Sequence, residues 1–310
     1  MYRIDKILVG LDLSYMDDKV MAYAANIARI VKAKRILFVY FADKNWPKAL
    51  TNITKDEVPQ SFDGAKLHFV QHVKEKVARY FPEREGSETV IRIEEGDPLA
   101  GILQMTKLHN IDLVTIGRKA DIKHTRLLTK RLVRKCNSSV LCVPENYRTS
   151  IDKILLPITY DRYARYAVER AFEFAHDNPN VHLVCLNVYQ VPGGYHAVGK
   201  TYEEFAEVMH KQSQNDYRKF IRQFDATDIE IQPKFELSKT KGAAAEVIYQ
   251  QALIEHADLI VMGSKGRTFL SARFSTSTAE KLSLLNINIP LLVLKDRHFE
   301  YGLLKAVTNT

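Results

Sequence analysis

The residues best suited to chemistry lie between Asp258 and Lys281, DLIVMGSKGRTFLSARFSTSTAEK. Leu259-Ile260-Val261-Met262 reads as a buried strand, followed by Gly263, Ser264, Lys265, Gly266 and Arg267. The hydroxyl cluster Ser275-Thr276-Ser277-Thr278 then opens a helix, expected over Thr278–Leu285. A strand, a glycine turn and a helix N-terminus together can hold an anion. Unpaired backbone N–H groups and the positive end of the helix dipole point at the same place. The glycines allow tight turns and close approach of backbone to a phosphate. A ligand-free reading fits the same residues, because Gly after a strand is ordinary and Ser277-Thr278-Ala279-Glu280 has the form of a capping box.

Other constellations are weaker. No GxxxxGK(S/T) occurs, so P-loop hydrolysis is unsupported, and the stretch lacks an acidic pair of the kind that holds Mg²⁺. His68 and His72 have helical i, i+4 spacing but no HExxH and no third ligand, so they read as an exposed helix face. There is no Gly-x-Ser-x-Gly elbow. Trp46 is placed in a loop, capping a core edge. Cys142 and Cys185 lie in apolar runs and read as core residues of a reducing compartment; with Cys136 they form no CxxC pair. With no nucleophile or general base in view, binding is expected rather than efficient catalysis.

The elements that position these residues occur twice. Ile4-Asp5-Lys6-Ile7-Leu8 recurs 147 residues later as Ile151-Asp152-Lys153-Ile154-Leu155. Asp112-Leu113-Val114 with Gly117 and Lys119 recurs 146 residues later as Asp258-Leu259-Ile260 with Gly263 and Lys265. Tandem copies follow: a domain over 1–145, a linker through Pro144–Ser150, a second domain over 151–296 and a tail over 297–310. Each copy alternates continuous Val/Ile/Leu runs with helical patterns. The fold class is therefore α/β: two tandem doubly wound domains, each with a five-stranded parallel sheet covered on both faces. Ligands of such sheets sit beyond the carboxyl ends of the strands.

The N-terminus enters a strand directly, and no apolar run approaches the length of a membrane helix, so a cytoplasmic protein is expected. The net charge is +8, with the basic residues read as spread along the chain. Nucleic acid is not the expected partner. The densest patch, Lys123 to Lys135, reads first as a solvated helix face and second as a polyanion or RNA surface with steep salt dependence.

Three features resemble the universal stress protein family, over nearly the whole chain: Ile7 to Ser14; Glu95-Gly96-Asp97-Pro98 with Asp112–Gly117; and Val261 to Arg267 followed by Ser277 and Ala279-Glu280-Lys281. Nucleotide-binding members share Gly, two residues, Gly, nine residues, then Gly-Ser or Gly-Thr. Gly263 and Gly266 match, but the last pair is Thr276-Ser277. The family's acid after the first strand is Asp12 in the first copy and Thr159 in the second.

The resemblance implies an adenine-nucleotide site, for ATP or AMP, in the second copy, with Mg²⁺ left open. Pro157, Ile158, Thr159 and Val188 would frame the base and ribose. Met262, Gly263, Ser264, Gly266, Arg267, Ser277 and Thr278 would meet the phosphates. The first copy has Ala120 in place of the second glycine and a shorter loop, so it is expected to have lost the site. It would pack on the second copy as a pseudo-dimer through Val140–Val143 and Leu291–Leu294, with homodimers of the chain a further option. The competing reading is a nucleotide-free scaffold with both sites degenerate.

Overall fold

The structure, a computed structural model, describes residues 4–43, 46–54, 61–82, 86–119, 123–264, 276–285 and 288–296. The chain divides into two compact units, Met1–Thr149 and Ser150–Thr310.

The first unit contains β1 (Lys6–Leu11), α1 (Met16–Ile30), β2 (Arg35–Ala42), α2 (Trp46–Thr54), α3 (Phe62–Tyr80), β3 (Glu88–Glu95), α4 (Pro98–Leu108), β4 (Leu113–Arg118), α5 (Lys123–Lys135) and β5 (Ser139–Pro144). Its strands lie in the order β3-β2-β1-β4-β5, all parallel. The second unit contains β6 (Lys153–Pro157), α6 (Arg162–Asp177), β7 (His182–Tyr189), α7 (Tyr202–Ile221), β8 (Ile231–Leu237), α8 (Ala244–Ile254), β9 (Leu259–Ser264), α9 (Thr276–Leu285) and β10 (Leu291–Lys295). Its order is β8-β7-β6-β9-β10, again parallel. Each unit is thus an α/β doubly wound sheet. Its strand order reverses between β1 and β4, and between β6 and β9, and a crevice forms at that reversal.

The repeated motifs hold the sheets together. Asp112 Oδ2 accepts the N–H groups of Asp5 and Lys6, both at 2.9 Å. Asp258 Oδ2 accepts those of Asp152 and Lys153 at 3.0 and 2.9 Å. In each copy a carboxylate before one central strand clamps the start of its neighbour, which gives a structural reason for the recurrence. Asp97, after Gly96 at φ 122°, caps α4 by accepting from Ala100 N at 2.8 Å, with Pro98 at the first helical position.

Two expectations need correction. Trp46 opens α2 rather than lying in a loop; it is buried against Tyr40 and Phe69. The last helix of the second unit starts at Thr276, two residues before the expected Thr278, so Ser277 lies inside the helix and is not the N-cap of a capping box. The three cysteines are buried, and burial pushes the Cys142 and Cys185 thiols up to about 12. Among the described residues no helix is long and apolar enough to cross a membrane.

Candidate functional site

The two crevices differ at the strands that border them. In the first unit the β1–β4 register runs from Ile7 opposite Leu113 to Gly10 opposite Ile116. In the second, the β6–β9 register stops at Leu155 opposite Ile260. The equivalents of the last two first-unit pairs, Leu156 with Val261 and Pro157 with Met262, are not made. Pro157 stands where the first unit has Gly10, and proline has no N–H to give the ladder. The hydrogen-bonded ladder of the second unit therefore ends two pairs sooner, toward the carboxyl ends of its central strands, and leaves backbone groups of β9 without a partner from Pro157 at the end of the sheet where ligands of such folds sit.

Next to the end of this ladder, β7 presents backbone. Ile158 N donates to Leu186 O at 2.8 Å, and Ser238 N donates to Tyr189 O at 2.8 Å. Successive residues of a strand turn their polar groups to alternate sides. This parity puts the N–H and C=O of Val188 on the β6 side, past the last residue of β6. Asn187 fixes the corner. Its Nδ2 donates to Ile158 O at 2.8 Å, and its Oδ1 accepts from Ser213 Oγ on α7. The Tyr160 hydroxyl donates to Ser213 O at 2.9 Å.

Thr159 and Asp161 exchange the roles played by Asp12 and Ser14. In the first unit Ser14 Oγ donates to Asp12. In the second, Thr159 Oγ1 donates to Asp161 Oδ2 at 2.9 Å, while Asp161 Oδ1 caps α6 by accepting from Tyr163 N and Ala164 N, both at 2.9 Å. The acid missing at Thr159 is thus present two residues on, committed to a helix start. Between them Tyr160, like Leu13 in the first unit, sits in the left-handed region at φ 61° and 52°.

On the opposite side of the crevice, β9 ends in Met262, Gly263 and Ser264. Gly263 is explained by packing. A Cβ there would overlap the backbone carbonyl of Tyr163, so glycine lets the first turn of α6 lie against β9. Ser264 Oγ accepts from Lys295 Nζ at 3.1 Å. Lys295, at the end of β10, is only 1% exposed, which places a buried ammonium at the point where the chain leaves β9. Thr278, in the first turn of α9, is buried, and α9 packs on β9 and α8. Pro157, Ile158, Thr159, Val188, Met262, Gly263 and Ser264 therefore share one end of one sheet. Lys265, Gly266, Arg267 and the side chain of Ser277 lie outside the described residues. Asn187, Asp161 and Lys295 escaped the sequence reading. Their signals were a polar residue inside the apolar run Leu186-Asn187-Val188, an acid displaced by two positions, and a lysine closing a core strand.

The first unit fills the same region with its own side chains. Lys119 Nζ lies 2.7 Å from Asp12 Oδ2 and over the Tyr15 ring at 5.9 Å. A cation stands where a phosphate loop would begin, and it engages the acid that would face a ribose. Below this pair, Asp17 Oδ1 and Oδ2 accept Asp12 N at 2.9 Å and Leu13 N at 3.1 Å. Burial, then the neighbouring Asp12, raises the Asp17 carboxyl to about 7. Among the described residues no group of three or more His, Cys, Asp or Glu is arranged to hold a metal.

The comparisons with known proteins agree with this architecture. The chain is 27% identical over 280 residues to the universal stress protein E homolog of Haemophilus influenzae, covering 84% of this chain and 85% of that one. A universal stress protein from Archaeoglobus fulgidus shares the fold at TM-score 0.62 and 16% identity, covering 94% of this chain and 97% of that one. A functionally unknown protein from Pseudomonas aeruginosa matches at TM-score 0.57 and 16% identity, over 99% and 98% of the two chains. The model of the Universal stress protein family matches twice, over residues 3–144 and 150–295. With both compact units covered, the chain belongs to the universal stress protein family as a tandem of two of its domains.

Proposed function

We propose that the second unit binds an adenine nucleotide, ATP or AMP, and that the chain acts in stress signalling in the cytoplasm as a binder rather than an efficient enzyme. The observation that carries this is the contrast between the two crevices: the β6–β9 ladder ends at Leu155 and Ile260, whereas β1 and β4 stay paired to Gly10 and Ile116 beside the Asp12–Lys119 pair that fills the first crevice. Val188 offers an N–H and a C=O to the edge of a base. Thr159 offers a hydroxyl near a ribose. Ser264, Thr278 and the N-terminus of α9, with Gly266, Arg267 and Ser277, meet the phosphates, and Lys295 supplies positive charge from below. The first unit contributes structure and no nucleotide site.

Isothermal titration with ATP and with AMP tests this. Wild type is expected to take up one nucleotide per chain. Gly266→Asp, which puts a side chain and a negative charge into the phosphate loop, is expected to weaken binding at least tenfold, a loss of about 1.4 kcal/mol. No heat at millimolar ligand, or equal binding by the variant, contradicts the assignment.

A further inference from the structure

The basic charge of this chain is less evenly distributed than its overall composition suggests. From Pro98 to Pro144, the span of α4, β4, α5 and β5, there are nine Lys and Arg against two Asp, which is seven of the chain's eight net charges. The matching span of the second unit, Ala244 to Lys295, has five basic and four acidic residues. The contrast is sharpest in one helix. α5 carries six basic and no acidic residues, while α9, in the same place in the same fold, carries one of each. A solvated face meets its structural requirement in α9 without net charge, so the fold itself does not call for the charge of α5.

The structure exposes that charge. On α5, Arg126, Arg131, Arg134 and Lys135 are exposed and Lys130 is half-buried, while Thr129, Leu132 and Val133 face the core. Lys130, Arg131 and Lys135 make no ion pair with any described residue. Arg126, Lys130 and Arg134 are spaced i, i+4, about 6 Å per step along the helix. α4 packs beside α5 and adds the exposed Lys107.

We propose that the solvent face of α5 is a docking surface for the phosphodiester backbone of a nucleic acid, recognised without regard to sequence. Arginine, with a planar fork of donors, matches phosphate oxygens, and here it alternates with lysine along one face. No Phe, Trp or Tyr occurs between Pro98 and Pro144, so this face has no stacking platform for bases. That leaves the backbone as the recognised element. An anionic membrane is a poorer match, because Leu132 and Val133 on the apolar side of α5 are 0% exposed and Leu127 is the one exposed large apolar side chain among the described residues of this helix, too little apolar surface to enter a bilayer interface.

The test is fluorescence anisotropy of the full chain with a labelled short duplex DNA of mixed sequence, titrated at several salt concentrations. Binding in the range of about 10⁻⁴ to 10⁻⁶ M near physiological salt is expected, with a log–log salt slope of about −4.5 if Arg126, Lys130, Arg131, Arg134 and Lys135, five of the six basic residues of α5, meet phosphates. Replacing Lys130, Arg131 and Lys135 together by Gln should flatten the slope by about three and cost tenfold or more in affinity at low salt. The control removes equal charge from the exposed side of α3, as Lys66→Gln, Lys74→Gln and Arg79→Gln, and should bind as wild type. Circular dichroism of both variants reports folding. Absence of binding at low salt, a flat salt dependence or an equal loss in the control overturns the proposal. So does preferential binding of polyglutamate, which would indicate an acidic protein partner, or of phosphatidylserine vesicles.

Discussion

Gly263→Ala is expected to destabilise the second unit by about 3 kcal/mol or more, the upper range for forcing an extra group into a packed interior. A Cβ at this position meets the backbone carbonyl of Tyr163, and backbone cannot rotate away as a side chain can. To make room, the first turn of α6 would have to lift from β9. That turn carries the Asp161 cap and follows Thr159 and Tyr160, so the same change would widen the crevice and weaken any nucleotide bound there. The equivalent change in the first unit, Gly117→Ala, is a built-in comparison. There the new Cβ lies 2.9 Å from Val20 Cγ2 and 3.4 Å from Met16 Cβ and Cε, so the crowding falls on side chains rather than on backbone as in the second unit. A cost of about 1 kcal/mol is expected for it. Urea unfolding of the two variants, followed by hydrogen exchange to assign each loss to its unit, measures the difference. Equal costs would show that the approach of α6 to β9 is not tight.

The second large effect is a dependence of first-unit stability on pH. Asp17 is 6% exposed, and its carboxyl is raised from 3.8 to about 7, first by burial and then by Asp12; Lys76 and the N–H groups of Asp12 and Leu13 oppose the rise. A carboxyl whose pKa is higher in the folded state binds its proton more tightly there than in the unfolded chain. Its protonation therefore favours folding at acid pH, and stability falls as pH rises from about 4 to about 7. A rise of this size corresponds to about 4 kcal/mol at most. Hydrogen exchange in β1 and β4 should show the first unit losing protection across that window, while the second unit, with Ala164 in the place of Asp17, does not share the trend. Asp17→Asn is expected to lower stability at acid pH, because the amide accepts one N–H rather than two, and to remove the slope. A slope that persists in the variant would assign it to another group.

Much of the fold was legible in the sequence because it is written twice. The recurrences of Ile4–Leu8 and of Asp112–Gly117 mark the same two central strands, and apolar runs of strand length between helical patterns lead to a parallel sheet. What the residues do at those positions was less legible, because the answers lie in pairs far apart in the chain. Gly263 looks like a phosphate glycine until Tyr163, a hundred residues earlier, is seen to fill the space beside it. Asp112 and Asp258 look like members of a site motif, but each is a clamp on the start of the neighbouring strand. Lys119 and Asp12 each look like site residues, and only the fold brings them 2.7 Å apart as a closed pair. Thr159 looks like a lost acid, yet its hydroxyl hands over to Asp161. Pro157 was visible as a base-framing residue. Its larger effect, ending the ladder between β6 and β9, depends on which strand lies beside it, and local pattern does not carry that information.

A structure of the chain determined with AMP locates the nucleotide. One nucleotide per chain is expected, in the second unit, with the adenine edge at the N–H and C=O of Val188, the phosphate beside Ser264 and the start of α9, and the Asp12–Lys119 pair intact in the first unit. A nucleotide at Asp12 with Lys119 displaced, or no nucleotide at saturating AMP, would contradict this assignment.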